Sequence, residues 1–258
     1  MTGSQSLERG LNILKLLSQS PEQMGIREVA RRCELSAAII QRLMNTLEEW
    51  GYVSQDEVTK RYKLGHAVLS LAHNLARQEP LLEASLAELR QLAREHHLNG
   101  FLGIRRDNRG VYLMAVQSDG PLVVRATPGD TFHLHTTALG KILLAAVDDP
   151  ELRALLGAGQ LEAVTSHTMT NPDRLIAQIR KVRVAGHASS IEENLPGISS
   201  IAAPIHDAAG AVIAGISVAY PRLLEPAPTT GSIADLVIAA ATRISQQLGF
   251  ESHATSHQ

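Results

Sequence analysis

Apolar residues recur at helical spacing through the first fifty positions of the chain. A stripe of leucines predicts a first helix over Ser6–Gln19, with Ser6 as its N-cap. A second, shorter helix is predicted over Ile26–Arg32. A third is predicted from the cap residue Ser36 to Trp50, with Ile40, Leu43, Leu47 and Trp50 on its apolar face and Gly51 ending it.

Two short extended segments follow the third helix. Tyr52–Ser54 and Arg61–Leu64 flank the polar stretch QDEVTK, which predicts a β-hairpin. Three short helices followed by a hairpin are typical of a winged helix-turn-helix, in which the second and third helices place one helix in the DNA major groove. A small helical bundle that makes protein contacts is the alternative that the pattern leaves open.

The rest of the chain alternates between helical and extended patterns. An amphipathic helix over 65–78 lies between two regions of different composition and is interpreted as a linker; a further helix spans 81–97. Strands are predicted at 101–106, 111–117, 122–125, 188–192, 200–206 and 211–219, and helices at 137–147, 151–156, 173–184 and 230–248. This order predicts an α+β domain with one antiparallel sheet and flanking helices.

We therefore expect four regions along the chain. They are a winged helix-turn-helix domain over 1–66, a linker helix over 67–79, an α+β domain over 80–250 and a flexible tail over 251–258.

Composition and charge narrow the class of protein. The net charge of −2 and the 44% of apolar residues are those of a globular chain, and seven of the nine cations in residues 1–66 lie between Arg27 and Lys63. The single cysteine, Cys33, excludes an intrachain disulfide framework. The first ten residues lack a secretory signal pattern and the longest apolar run, 208–219, is too short for a bilayer, so we expect a cytoplasmic protein with no membrane contact.

Several segments resemble one protein family in its own order. They are SLERGLNILKLLSQSPEQMGIREVARRCELS, QRLMNTLEEWGYVSQDEVTKRYKLG, TTALGKILLAAV, GHASSIEENLPGISSIAAPIHDAAGAVIAGISVAYP and ISQQLG, and they resemble the IclR family of bacterial transcriptional regulators. The resemblance implies a winged-helix domain bound to double-stranded operator DNA, a linker helix and a GAF-like effector domain. It also implies a small organic effector, a carboxylate or an aromatic acid, and homodimers or dimers of dimers that repress or activate catabolic operons.

The DNA-facing residues are predicted from the polar side of the third helix. Gln41 and Asn45 are four residues apart, and their amides can read adenine by paired hydrogen bonds. The same surface carries Ser36, Ala38 and Arg42. Cations of the second helix and the hairpin are interpreted as phosphate contacts, with an ordinary surface charge as the alternative for each; they are Arg27, Arg31, Lys60, Arg61 and Lys63.

The turn before the third helix departs from the family pattern. Family members usually place a glycine before this helix and a polar Lys/Ser-Ser-Thr-like stretch at its start, whereas this chain has Glu34 in the turn and Ala37-Ala38-Ile39 at the start. Alanine and isoleucine side chains donate no hydrogen bond to phosphate, so we expect weak and strongly salt-dependent DNA binding. A sensor or interaction module with weak or lost specific DNA binding is the alternative function.

A second site is predicted where a helix begins within Thr136–Lys141. Amides at a helix start favour an anion, and the resemblance implies that those of Ala138 and Leu139 contact the effector carboxylate. The resemblance also places Ser190, Ser200, Ser217 and Ala219 in the pocket. Arg125 is a candidate partner for a second carboxylate, and Phe101, Val124 and Leu102 are candidate walls for an aromatic ring. Glu192 and Glu193 are interpreted as loop-ordering or interface residues.

Two other classes receive little support. His133 and His135 share a face but have no third ligand at metal-binding spacing, so we expect no metal and no cofactor. The chain contains none of the G-x-S-x-G, H-E-x-x-H or G-x-G-x-x-G patterns, so we expect no enzyme.

Overall fold

The computed structural model describes residues 3–120, 124–222 and 230–251. The chain forms two compact units, Met1–Gln78 and Glu79–Gln258. No helix among the described residues is long and apolar enough to cross a bilayer.

The first unit is a winged helix-turn-helix, as predicted. Its elements are α1 (Gln5–Gln19), α2 (Ile26–Arg32), α3 (Ala37–Glu49), β1 (Val53–Gln55), β2 (Tyr62–Leu64) and α4 (Ala67–Gln78). The two strands pair antiparallel, and Ile13, Val29, Ile40 and Tyr62 form the centre of its core.

Helix caps explain where the predictions succeed and fail. The Ser36 side chain accepts a hydrogen bond from the Ile39 amide at 3.4 Å, which confirms it as the N-cap of α3. Helix α1 begins one residue before Ser6, so the prediction of Ser6 as a cap is wrong. Trp50 was also placed wrongly: α3 ends at Glu49, and Trp50 is 70% exposed while Met44 is buried.

The second unit is built on one antiparallel sheet with helices on both faces. Its elements are α5 (Pro80–His96), β3 (Asn99–Arg106), β4 (Arg109–Val116), β5 (Thr131–Phe132), α6 (Ala138–Ala145), α7 (Asp149–Leu156), α8 (Pro172–Ala185), β6 (Ala188–Ile191), β7 (Ile198–His206), β8 (Val212–Pro221) and α9 (Thr230–Gln247). The strand order is β5-β4-β3-β8-β7-β6.

Side-chain alternation along the central strands separates two layers. Ile201 and Val218 pack with α5 and α9 on one face. Ala202 and Ala219 lie on the opposite face with α6 and α8. The small side chains on this second face leave room between the sheet and α6.

One predicted strand, 122–125, lies half outside the described residues. Residues 122 and 123 are not described, and Val124 and Arg125 have no regular secondary structure. On its outer side β4 pairs with β5, through Phe132 opposite Gly110. In the predicted flexible tail, residues 252–258 lie outside the described residues.

Candidate functional sites

A cavity of about 480 Å³ lies on the α6 side of the sheet. Eight of the ten residues predicted for the effector site line it: Phe101, Val124, Arg125, Leu139, Ser190, Ser200, Ser217 and Ala219. The other two do not: Ala138 is fully buried at the start of α6, and the prediction for Leu102 is wrong, because alternation along β3 turns it to the opposite face of the sheet. The structure therefore brings together residues from four strands, one helix and one loop.

The start of α6 forms one end of the cavity. Thr137 is the N-cap: its hydroxyl accepts from the Gly140 amide at 2.9 Å and donates to the His133 carbonyl at 3.2 Å. A Cβ on Gly140 would lie 2.3 Å from the Leu134 carbonyl oxygen, so only glycine fits there. The amides of Ala138 and Leu139 precede the first intrahelical hydrogen bonds and are left as donors for an anion.

Strand register places the predicted serines next to one another. Ser190 is opposite Ser200, and Ser200 is opposite Ala219, so the three form one row across β6, β7 and β8. Ser217 is opposite Phe101 in the neighbouring row. The Ser190 hydroxyl already donates to the Thr136 carbonyl at 2.6 Å, and this bond fixes β6 against the start of α6.

Three aromatic rings form another wall. Tyr112 lies with its ring centroid 5.5 Å from that of Phe101 and 4.4 Å from that of Phe132. Burial and the Asp130 carboxylate raise the pKa of Tyr112 to about 12, so its hydroxyl stays protonated at neutral pH. The sequence reasoning missed Tyr112 and Phe132. The signal that could have found them is that aromatic residues are scarce, with three Phe, four Tyr and one Trp in the whole chain, so each one was a candidate for the wall of a site.

Charged groups lie at the edge of the cavity. Arg125 is exposed there, and Asp130 accepts a hydrogen bond from the Thr127 amide at 2.9 Å. Arg109 donates to the Nδ1 atom of His133 at 2.8 Å. Burial, together with the Arg109 charge, lowers the pKa of His133, so its ring is neutral at pH 7 and can accept that bond.

The histidine pair has no metal-binding arrangement. His133 contacts Arg109, and the Nε2 atom of His135 lies 2.9 Å from the Glu162 carbonyl oxygen. Across the described ranges, no three His, Cys, Asp or Glu side chains are grouped so that they could hold a metal ion.

The segment 192–197 between β6 and β7, which we call the cavity loop, carries both predicted glutamates. Glu192 accepts from the Gly197 amide at 2.9 Å and forms an ion pair with Arg222. Glu193 forms an ion pair with Lys141. The two carboxylates hold the loop and do not face each other across the cavity.

In the first unit, the predicted base-reading surface is exposed. Ala38, Gln41, Arg42 and Asn45 are all exposed on α3. The Gln41 side-chain amide donates to the Asn45 side-chain oxygen at 2.8 Å and lies 3.3 Å from the Tyr62 hydroxyl. The two side chains therefore act as one hydrogen-bonded unit that β2 orients.

The predicted phosphate contacts divide into two groups. The side chains of Arg27, Arg31, Lys60 and Lys63 are exposed and form no ion pair with any residue that the structure describes. Arg61 differs, because it donates to the Gln23 carbonyl at 2.7 Å and pairs with Glu28 at 3.1 Å. Arg61 thus links the hairpin to α2, and its charge is partly neutralised in the DNA-free protein.

The turn before α3 is strained where the sequence departs from glycine. Glu34 has a φ of 55°, in the left-handed region that favours glycine. The neighbouring Ala38 side chain is exposed and apolar, so the start of α3 presents only Ser36 as a hydroxyl.

Comparison with known proteins agrees with both halves of this architecture. The family model described as the bacterial transcriptional regulator IclR C-terminal matches residues 73–246, and that of the IclR helix-turn-helix domain matches residues 6–57. The HTH-type transcriptional regulator BhcR of Paracoccus denitrificans is 30% identical over 94% of this chain and 87% of its own.

Solved structures give the same result. An IclR transcriptional regulator from Alicyclobacillus acidocaldarius superposes with a TM-score of 0.82 at 26% identity, covering 96% of this chain and 100% of that one. An IclR homolog from Microbacterium hydrocarbonoxydans, complexed with 4-hydroxybenzoate, has the same fold, with a TM-score of 0.83 at 19% identity over 94% and 98% of the two chains. The chain belongs to the IclR family and is a helix-turn-helix transcriptional regulator.

Proposed function

We propose that the first unit binds operator DNA and that the cavity of the second unit binds a small organic acid that controls this binding. The observation that carries the proposal is the cavity itself, which Leu139 at the start of α6 and the serines Ser190 and Ser200 line together.

The cavity chemistry favours a monocarboxylate with a flat apolar body. At the N-terminus of α6, the amide of Leu139, which lines the cavity, is the donor for the carboxylate, and the buried Ala138 amide adds to the positive end of the helix dipole. Ser200 and Ser217 add hydroxyl donors, and the aromatic wall stacks against a ring. Arg125 offers a cation to a second acidic or hydroxyl group. The 4-hydroxybenzoate held by the Microbacterium homolog, which shares the fold, supports this class of ligand.

On the DNA side, Gln41 and Asn45 supply base contacts, and the free cations of α2 and the hairpin supply phosphate contacts. The start of α3 presents only one hydroxyl, that of Ser36, so one domain binds DNA weakly. We infer that dimers or dimers of dimers compensate for the weak affinity of one domain by binding several half-sites at once. The protein then acts in the cytoplasm as a regulator and not as an enzyme.

The second candidate function is a sensor without specific DNA binding. The strained Glu34 and the apolar Ala38 at the start of α3 favour it. It retains the effector cavity and differs only in operator binding.

Isothermal titration calorimetry with benzoate, 4-hydroxybenzoate and pyruvate tests the effector site. Two adjacent serines of β7 give matched variants, because Ser200 lines the cavity and Ser199 points to the other face. We expect Ser200→Val to weaken binding of a carboxylate by about ten-fold, the loss of one hydrogen bond to a charged group. Ser199→Val should leave it unchanged; equal affinities in the two variants would remove the serine row from the site.

A further inference from the structure

A buried lysine lies close to the cavity without lining it. Lys141 is 0% exposed on α6, and its Nζ atom lies 2.5 Å from Glu193 Oε1 and 3.2 Å from the Ser189 carbonyl oxygen. Burying an ion pair costs desolvation energy, and a cation in the first half of a helix opposes the helix dipole. Stability alone is therefore a poor reason for this pair.

The pair joins the two parts of the cavity wall that are far apart in the chain. Lys141 follows the first turn of α6, whose amides form the anion site. Glu193 belongs to the cavity loop, which places Asn194 and Leu195 on the cavity wall. A second bond runs the same way, because the Thr136 hydroxyl donates to the Asn194 side-chain oxygen at 2.9 Å.

Polar tethers, more than apolar packing, hold the cavity loop. Leu195 is 43% exposed, so its burial contributes little. The hydroxyls of Thr165 and Thr168 bind the carbonyl oxygens of Glu192 and Glu193 at 2.6 and 2.7 Å. The Oε2 atom of Glu193 is buried with no hydrogen-bond partner among the described residues, so nothing there would replace Lys141 if it were removed.

We propose that the Lys141–Glu193 ion pair is a positioning device that fixes the cavity loop against the start of α6 and so sets the affinity for the effector. Neither side chain touches the cavity, so neither contacts the ligand. The inference rests on the proposed effector function of the cavity. It goes beyond that function by assigning control of affinity to residues outside the wall.

Hydrogen exchange of the full-length protein without ligand tests the positioning role directly. In Lys141→Met we expect exchange to rise by about ten-fold or more within 192–197, because the loop opens locally, while β8 and α9 keep their protection. The matched control is Arg153→Met, which breaks the exposed pair between Arg153 and Asp173. A uniform rise over the whole unit, or no rise in 192–197, would overturn the proposal.

Affinity for 4-hydroxybenzoate, measured by calorimetry, gives the second readout. The affinity of Lys141→Met for the acid should be about ten-fold or more below that of the wild type. The exchanged pair K141E/E193K should recover affinity to within about three-fold of the wild type, since the ion pair is restored. DNA affinity without acid should stay unchanged. Unaltered acid affinity in Lys141→Met would overturn the inference and leave the effector site standing.

Two outcomes need a separate decision. If the wild-type protein binds none of the acids, the proposed effector class fails, and exchange within 192–197 alone decides the positioning role. If Lys141→Met does not fold, the apolar pair K141M/E193L replaces it, because no charge is then buried without a partner. A rise in hydrogen exchange that is confined to 192–197 in that variant supports the proposal. Protection equal to that of the wild type in 192–197, or a rise over the whole unit, contradicts it.

Discussion

The two units of this regulator present their functional residues in opposite ways. In the first unit, Gln41, Asn45 and the free cations are exposed, and DNA must supply most of their partners. In the second unit, the residues around the cavity are fixed by caps, strand register and buried hydrogen bonds. Operator affinity should therefore depend on surface charge and salt, whereas effector affinity should depend on internal packing.

The largest expected effect tests the packed side of this comparison. Gly140→Ala places a Cβ against the Leu134 backbone, which cannot move away as a side chain could. We expect a loss of about 1–3 kcal/mol or more in the free energy of unfolding of the second unit, with loss of acid binding. Urea unfolding measures it. Gly159→Ala, which meets no atom within 4 Å, should be nearly neutral.

An effect of up to the same size is expected on the exposed side. Gln41→Ala and Asn45→Ala should each cost about 1–3 kcal/mol of operator affinity and relax the base preference at one position. Neither should change acid binding. Anisotropy on operator and base-substituted duplexes checks this, and a uniform loss on every duplex would mean that the two residues read no bases. Thr46→Ala, at an exposed position of the same helix, is the control.

Relief of strain in the turn before α3 should have a favourable but modest effect. Glu34→Gly removes a left-handed non-glycine residue, so we expect the first unit to gain up to about 1 kcal/mol of stability. Thermal unfolding of the wild type and the variant measures it. Arg42→Gly, at an exposed position in the interior of α3, should instead lose about 1 kcal/mol. A loss in Glu34→Gly would show that the turn carries no strain.

The smallest effect concerns pH. Burial lowers the pKa of His206, whose ring stacks on Phe250 with centroids 4.8 Å apart, while Asp207 opposes the shift. The folded state therefore disfavours the protonated ring, and stability should fall as pH drops below the ordinary histidine pKa. His206→Phe keeps the stacking and should flatten the decline in melting temperature between pH 7 and 5. His133 titrates with the same sign, so part of the slope should remain. An unchanged slope would contradict the role of His206.

The sequence predicts the elements well where the spacing of apolar residues agrees with the cap and turn residues at the element ends. Helix α2 has the predicted bounds, and Ser36 caps α3 as expected. The prediction for Trp50 is wrong because the helical spacing of apolar residues continues past Glu49, where the helix ends. Strand β5 was not predicted, because two residues are too few to show a periodic pattern. Only its pairing with β4 defines it as a strand.

The cavity was predictable only in part. The serines and the start of α6 follow from the family resemblance, and the structure brings them together around one space. Lys141 stands out in the sequence as the one charge in TTALGKILLAAV. Its partner Glu193 lies 52 positions further along, so no local pattern could join them.

Specific operator binding is measured by fluorescence anisotropy on duplex DNA from the intergenic region upstream of this protein's own gene. The full-length protein is titrated at several salt concentrations, with a scrambled duplex as control. We expect tighter binding to the natural duplex and a steep fall in affinity with salt, because free cations contact phosphates. Equal affinity for both duplexes at low salt would contradict it and leave the sensor without specific DNA binding as the function of this chain.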